Sequence, residues 1–221
     1  AADAQGARLL ADQAETMVLF DKAACHARLR RAGVAVPPAL PGSPSGWAEL
    51  RDWLAEVGWR RVFVKPRHGS SASGVVALQL GSGGRLLATT SVELSGGRLF
   101  NSLRVRRYHG EADIAAIIDG LAPDGLHVER WFPKADLDGR VVDLRVVLVA
   151  GEPSHVVVRG SHSPMTNLHL GGVRGDLAAL RAAAGPAYPA GLATCRAVAA
   201  CFPGSPQLGV DLMLGVGWRA H

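Results

Sequence analysis

At residues 62–75 the sequence runs VFVKPRHGSSASGV. The β-branched run predicts a strand, Arg61–Pro66, and the small, polar residues after it predict a turn and a second strand, Val75–Leu80. The turn offers consecutive backbone N–H groups and the hydroxyls of Ser70 and Ser71 close to Lys65, a combination that suits a phosphate. It is neither a GxxxxGK[ST] loop nor a GxGxxG turn, and an ordinary hairpin turn remains the alternative.

A second informative segment is VERWFPKA, residues 128–135. Here a carboxylate and large apolar groups end a predicted strand, His127–Phe132, and Lys134 follows. A purine ring fits this chemistry, because it can stack on apolar surface while its nitrogens pair with backbone groups and a lysine. A strand edge with a core tryptophan explains the same residues.

Charged residues recur on the strands that follow. Asp143 and Arg145 are two apart on a predicted strand and share a face, and Arg159 lies on the strand paired with it. They form either a structural ion pair or a site for ribose hydroxyls and phosphates. Asp211 stands alone in the apolar strand QLGVDLML, residues 207–214, as a candidate magnesium ligand or a carboxylate capped by backbone donors.

Composition favours an anionic partner. The chain has 221 residues and a net charge of +5, and of its 24 lysine and arginine residues only Lys22, Lys65 and Lys134 are lysines. In an arginine-rich chain, a lysine is expected where a compact ammonium group is required, and chance retention is the alternative for any single one. No stretch approaches the roughly 18 to 20 apolar residues of a membrane span.

The cysteines, Cys25, Cys195 and Cys201, are odd in number and have no CxxC spacing, which indicates reduced thiols in a cytoplasm. No signal peptide pattern occurs in residues 1–20.

The periodicities predict a mixed α+β protein with no internal repeat. Hairpins are expected over residues 81–110, and the segment Ser161–Gly175 is polar, glycine-rich and irregular, as functional loops often are. The predicted helices are Gln13–Ala32, Trp47–Val57, Asp113–Leu121 and Ala190–Cys201. A hairpin is predicted from Val141–Ala150 and Ser154–Gly160.

Taken in order, these segments resemble the ATP-grasp family, which includes D-alanine:D-alanine ligase, glutathione synthetase and the ligases that add glutamate to protein tails. The resemblance covers about residues 16–214 and rests on six segments. They are the Asp21-Lys22 pair that opens a helix ending in AGVAVP, then VKPRHGSSASGV, VERWFPKA, DLRVVLV, SPMTNLHLGG and GVDLML.

The resemblance implies an α+β ATP-grasp fold, in which two lobes with antiparallel sheets flanked by helices hold ATP between them. The implied divisions are a helical and linker segment at residues 1–59, a lid lobe at 60–132, and a larger nucleotide- and metal-binding lobe at 133–221.

It also implies roles for individual residues. Lys22 and Lys65 would contact ATP phosphates, with Ser70 and Ser71 in the phosphate loop. Asp143 would meet the ribose, beside Arg145, and Asp211 would be the first magnesium ligand. The adenine would be lined by Glu129, Arg130, Trp131, Phe132 and Lys134. The implied catalytic residues, facing the γ-phosphate and an acyl phosphate, are Lys65, Arg159 and Asn167.

Two features depart from the family pattern. Ala72 stands where many members have glycine, which is expected to stiffen the phosphate loop. The family also places an E-x-N pair on a strand after the aspartate, and none occurs between Asp211 and His221. The metal site is therefore expected to be incomplete here, and the preceding domain that helps to bind the acceptor is expected to be missing.

The implied activity is an ATP- and magnesium-dependent carboxylate-amine or carboxylate-thiol ligation through an acyl phosphate. The partners would be ATP, a small-molecule or peptide carboxylate and an amine acceptor, and the sequence leaves a homo-oligomer open. A degenerate protein that binds nucleotide without turnover is the first alternative. A nucleic-acid-binding module using Arg104, Arg106 and Arg107 is disfavoured, because LRVRRY is poor in aromatic residues for base stacking.

Overall fold

A computed structural model describes residues 11–218, which form two antiparallel sheets with helices packed against them. The outermost parts of the first and last predicted divisions, residues 1–10 and 219–221, lie outside the described residues. The helices are α1 (Gln13–Phe20), α2 (Lys22–Arg31), α3 (Trp47–Glu56), α4 (Glu111–Leu121), α5 (Leu177–Ala184) and α6 (Ala187–Ala200). Within residues 11–218, no helix has the length and apolar character needed to cross a membrane.

The first sheet has the strand order β4-β3-β2-β1-β5. Its strands are β1 (Arg61–Pro66), β2 (Val76–Leu80), β3 (Leu86–Ser95), β4 (Arg98–Tyr108) and β5 (Leu126–Arg130). Along β1 the alternate residues Val62 and Val64 are fully buried in a core with α3 and α4. Phe63 and Lys65 therefore lie on the opposite face of the sheet.

The second sheet has the order β10-β7-β8-β9, with β6 also paired to β7. Its strands are β6 (Asp136–Leu137), β7 (Arg140–Val149), β8 (Glu152–Ser161), β9 (Val173–Arg174) and β10 (Gln207–Leu212). Leu144, Val146 and Leu148 of β7 pack with Leu180 of α5 and Phe202 after α6 in a second core. The mixed helix and antiparallel sheet architecture predicted from the sequence is confirmed.

The predicted first segment, residues 1–59, contributes to both cores. Leu50 and Leu54 of α3 belong to the core of the first sheet, whereas Leu19 and Leu29 of α1 and α2 pack against the core of the second. The divisions at residues 59 and 132 stay predictions.

Three element predictions are corrected. The single helix Gln13–Ala32 is two helices, because Asp21 adopts an extended backbone and its carboxylate caps α2 by accepting from the N–H groups of Ala23 and Ala24. Helix α5, capped by Asp176, was not predicted. Strand β5 ends at Arg130, so Trp131 and Phe132 lie beyond it.

Candidate functional site

A cleft of about 890 Å³ lies between the two sheets and gathers most of the residues singled out in the sequence. Those that line it are Lys22, Lys65, Ser70, Ser71, Glu129, Arg130, Phe132, Lys134, Asp143, Arg145, Arg159, Asn167 and Asp211. Trp131 is the exception, since its ring packs against Phe63 at a centroid distance of 4.9 Å. All three lysines of the chain meet in this cleft.

Lys65 is held by a buried carboxylate on the neighbouring strand. β1 and β5 pair so that Lys65 faces His127 and Phe63 faces Glu129. Glu129 binds the Lys65 ammonium group through one oxygen and accepts a hydrogen bond from His127 Nε2, at 3.0 Å, through the other. Burial raises the pKa of Glu129, but the Lys65 charge and these hydrogen bonds outweigh it and lower the pKa to about 2.

Lys22 is the first residue of α2 and lines the cleft, directly after the interruption of the helical segment at Asp21. The backbone of Asp21 forms an isolated antiparallel β-bridge with that of His68. The Asp21 carboxylate accepts hydrogen bonds from Arg67 Nε at 2.9 Å and Nη2 at 2.6 Å, which lower its pKa to about 2. Lys22 Nζ then donates to the Gly69 carbonyl at 2.8 Å, in the loop between β1 and β2 that was predicted to bind phosphate. Burial and the neighbouring Lys65 charge lower the pKa of Lys22.

The loop between β1 and β2 adopts left-handed backbone at Ser71 and Ala72, with φ of 56° and 55°. A side chain there is strained, as expected where glycine is the usual residue. Across the cleft, His169 Nε2 donates to the Ser71 carbonyl at 2.8 Å. Ala72 also packs against a small apolar cluster that includes Met165, so the loop after β8 closes against the phosphate loop.

On the opposite wall, Asp143 is the centre of a buried polar network. Only 5% of its side chain is exposed, and Lys134 Nζ and Arg159 Nε each donate to it at 2.8 Å. The Thr166 hydroxyl also donates a hydrogen bond to Asp143. Burial raises the pKa of Asp143, but Lys134 and Arg159 outweigh it, so the pKa is lowered and the group is a carboxylate.

Asp211 occupies the same wall but is half-exposed in the cleft. Its Oδ1 accepts from Arg145 Nε at 2.5 Å and from Arg159 Nη2 at 3.0 Å, and its Oδ2 accepts from Arg145 Nη2 at 3.1 Å. Among residues 11–218, no group of three or more His, Cys, Asp or Glu side chains is arranged to hold a metal. Asp211 is thus a half-exposed carboxylate that is paired with two arginines, and its role as a magnesium ligand stays a prediction.

The predicted adenine segment divides at the end of β5. Arg130 and Phe132 line the cleft, and the Arg130 N–H donates to the Pro38 carbonyl at 2.7 Å. Asn167 lines the cleft at the start of a short 3-10 helix, Leu168–Leu170, and its carbonyl accepts from Leu170 and Gly172.

Several cleft or supporting residues were not predicted. Phe63 and Met165 add apolar surface to the lining, Thr166 binds Asp143, and His127 orients Glu129. The alternation along β1 was a signal for Phe63, because it shares the face of Lys65. The roles of the predicted residues remain predictions.

The arginines of the nucleic-acid alternative lie away from the cleft. They are on β4, an edge strand of the first sheet, where Arg106 Nη2 binds Glu93 at 2.5 Å.

No protein-family model matches the sequence, and a search of curated proteins finds no match. Solved structures do match. D-alanine–D-alanine ligase from Bacillus anthracis complexed with ATP has 14% sequence identity and a TM-score of 0.55, and the match covers 98% of this chain and 58% of the ligase. Another structure of that ligase has 12% identity and a TM-score of 0.53, covering 94% of this chain and 56% of the ligase.

The D-cycloserine synthetase DcsG matches with 18% identity and a TM-score of 0.52, covering 96% of this chain and 67% of the synthetase. In these three structures, which are of two proteins, the chain spans 56% to 67% of the matched chain's length. At such identities the likeness concerns the fold. The chain has the ATP-grasp fold, which confirms the resemblance found in the sequence at the level of architecture.

Proposed function

We propose that this chain binds ATP with magnesium in the cleft between its two sheets and activates a carboxylate by phosphoryl transfer. A carboxylate oxygen would attack the γ-phosphorus, ADP would leave, and an amine or thiol would then displace phosphate from the acyl phosphate. The observation that carries this proposal is the convergence of Lys22, Lys65, Lys134 and Arg159 on one cleft.

The charges of the cleft support a triphosphate ligand. Besides the three lysines, Arg130, Arg145, Arg159 and Arg174 line it, whereas the lining carboxylates are Glu129, Asp143 and Asp211. Cations therefore outnumber anions, and a polyanion would balance them. Lys22 contacts the loop between β1 and β2 at Gly69, and Lys65 lies near the end of β1 just before it, which supports a role for both at the phosphates.

Positioning is the main contribution we assign to the protein. Phosphoryl transfer needs alignment and charge stabilisation more than a covalent catalyst. Asp143 would hold Lys134 and Arg159 in fixed positions, because its oxygens already accept from both. The ribose contact of Asp143 stays a prediction beside this role. Arg159 would stabilise the transferred group, since its guanidinium is rigid, buried and always charged.

Asp211 is the cleft residue that would hold magnesium, in exchange for one of its contacts to Arg145 and Arg159. Magnesium is commonly held by one or two carboxylates together with substrate phosphates and waters, and Asp211 presents a half-exposed carboxylate in the cleft. When bound, the ion would neutralise charge on the phosphate oxygens.

The test is ADP release measured with ATP, magnesium and a panel of amino acids and small carboxylates. Stimulated release with at least one acid and nucleophile pair is expected. In Arg159→Gln, turnover should fall by about 100-fold or more, the size typical of a lost transition-state donor. Arg104→Gln, an exposed arginine outside the cleft, serves as the control and should be unchanged.

Melting curves would verify that both variants fold. ATP binding without ADP release for any pair would favour the alternative, a nucleotide-binding protein without turnover. Absence of ATP binding would contradict both.

A further inference from the structure

A second cavity, of about 700 Å³, lies on the outer side of α2, between that helix and residues 39–43. We call it the α2 groove. It shares no lining residue with the cleft between the sheets. His127 lies in the wall that separates the two, because it lines the groove while its Nε2 donates to Glu129 in the cleft. The groove is therefore a separate site.

The rim of the α2 groove is cationic. Arg30, Arg31 and Arg67 line it together with His26 and His127, and no carboxylate is among the described lining residues. Arg67 uses Nε and Nη2 to bind Asp21, which leaves Nη1 uncommitted. Neither Arg30 nor Arg31 has an ion-pair partner within residues 11–218. The two unpaired guanidinium groups, with the free Nη1 of Arg67 beside them, favour an anionic ligand.

Two histidines also line the groove. His26 Nε2 must donate to the Pro37 carbonyl, at 2.8 Å, because a carbonyl oxygen only accepts. The ring centroids of His26 and His127 are 5.3 Å apart. Both rings thus keep Nδ1 uncommitted among the described residues.

The floor of the groove is apolar and made of small side chains. Ala23, Ala24 and Ala27 form the α2 side, and the buried Leu40 and Leu126 form the other. Such a floor gives a free phosphate nothing to contact, but it accommodates side chains of a peptide.

The backbone at Ala39 also favours a peptide. Leu40 N–H donates to the Val128 carbonyl and Arg130 N–H donates to that of Pro38, so Ala39 directs its own N–H and C=O away from β5. Neither group has a partner among residues 11–218, and Ala39 lines the groove. An extended peptide can pair with such an open donor and acceptor.

We propose that the α2 groove binds an extended peptide segment in which acidic and apolar side chains alternate. The acidic side chains would meet Arg30, Arg31 and Arg67 at the rim, the apolar ones would cover the alanine floor, and the peptide backbone would pair with Ala39. This site is independent of the proposed ligation.

The test uses fluorescence anisotropy with a labelled Glu-Leu-Glu-Leu-Glu peptide and the whole chain. The peptide should bind saturably, Lys-Leu-Lys-Leu-Lys should not, and Arg30→Glu/Arg31→Glu should weaken binding by about tenfold or more, since attraction becomes repulsion at two positions. The matched control is Arg98→Glu/Arg104→Glu, which makes the same charge change on exposed residues of β4.

Ala27→Phe provides a second variant that fills the groove without altering charge, and it should also abolish peptide binding. ATP affinity should be unchanged in every variant, which separates this proposal from the proposed function. Equal loss in both double variants, retained binding in Ala27→Phe, displacement by millimolar inorganic phosphate, or no binding of the acidic peptide would each overturn it.

Discussion

Asp143→Asn should be among the most destabilising substitutions in the cleft. The carboxylate is 5% exposed and neutralises Lys134 and Arg159, whose side chains are only 10% and 7% exposed. Asparagine keeps the shape but removes the charge, so two buried cations lose their common partner. Removing one partner of a buried ion pair costs about 3–5 kcal/mol. For a chain of this size, that corresponds to a fall in Tm of about 6–20 °C.

Asp211→Asn is the matched control, because Asp211 also binds Arg159 but is 49% exposed. An exposed ion pair contributes about 0–1 kcal/mol, so this variant should melt within about 4 °C of the parent. The measurement is thermal unfolding at pH 7, followed by circular dichroism. A free-energy change of 1 kcal/mol shifts Tm by about 2–4 °C in a chain of this size. If the two variants melt within about 2 °C of each other, the buried network does not stabilise the fold as argued.

Three further predictions concern acid stability, the phosphate loop and its contact across the cleft. Folding lowers the pKa of Glu129 from 4.5 to about 2, so its stabilisation is present above pH 4.5 and lost as pH falls towards 2. The free energy of unfolding, measured by acid titration, should fall over this range in the parent and fall less steeply in Glu129→Gln. An equal slope in the two proteins would refute this reasoning. Gly74→Ala should destabilise by about 1–3 kcal/mol, because φ is +70° and the new Cβ would come within 2.6 Å of a proline ring; Gly83→Ala, with open space around it, should cost less in a urea titration, and equal costs would count against the steric argument. His169→Ala removes the 2.8 Å contact to the Ser71 carbonyl. Amide hydrogen exchange of the loop between β1 and β2 should become faster, and unchanged protection would show that this contact does not hold the loop.

The sequence predicted most strands because their alternation is local. The β-branched run Val62–Val64 predicted β1, and the two-residue period of a strand then places Phe63 and Lys65 on one face. The pairing of Lys65 with Glu129 could not be read from it, because their strands are 64 residues apart and their register depends on tertiary packing. The role of His127 was missed for the same reason.

Other differences arise at element ends. Asp21 had a local signal, since aspartate is a favoured helix N-cap, but the apolar periodicity on both sides of it predicted one continuous helix. Trp131 and Phe132 follow the last residue of β5, where the two-residue alternation no longer fixes side-chain direction. Trp131 does not line the cleft, and its ring packs against Phe63, a contact between residues distant in sequence.

The most direct test of ATP binding in this cleft is isothermal titration of ATP with magnesium into the parent chain and Lys65→Ala. Loss of a charge-assisted phosphate contact should weaken binding by about 1.5–3 kcal/mol, or about 10- to 150-fold. Arg85→Ala, at an exposed turn of the same sheet, should bind ATP like the parent. Equal ATP affinity in Lys65→Ala and the parent would contradict the assignment of this cleft as the nucleotide site.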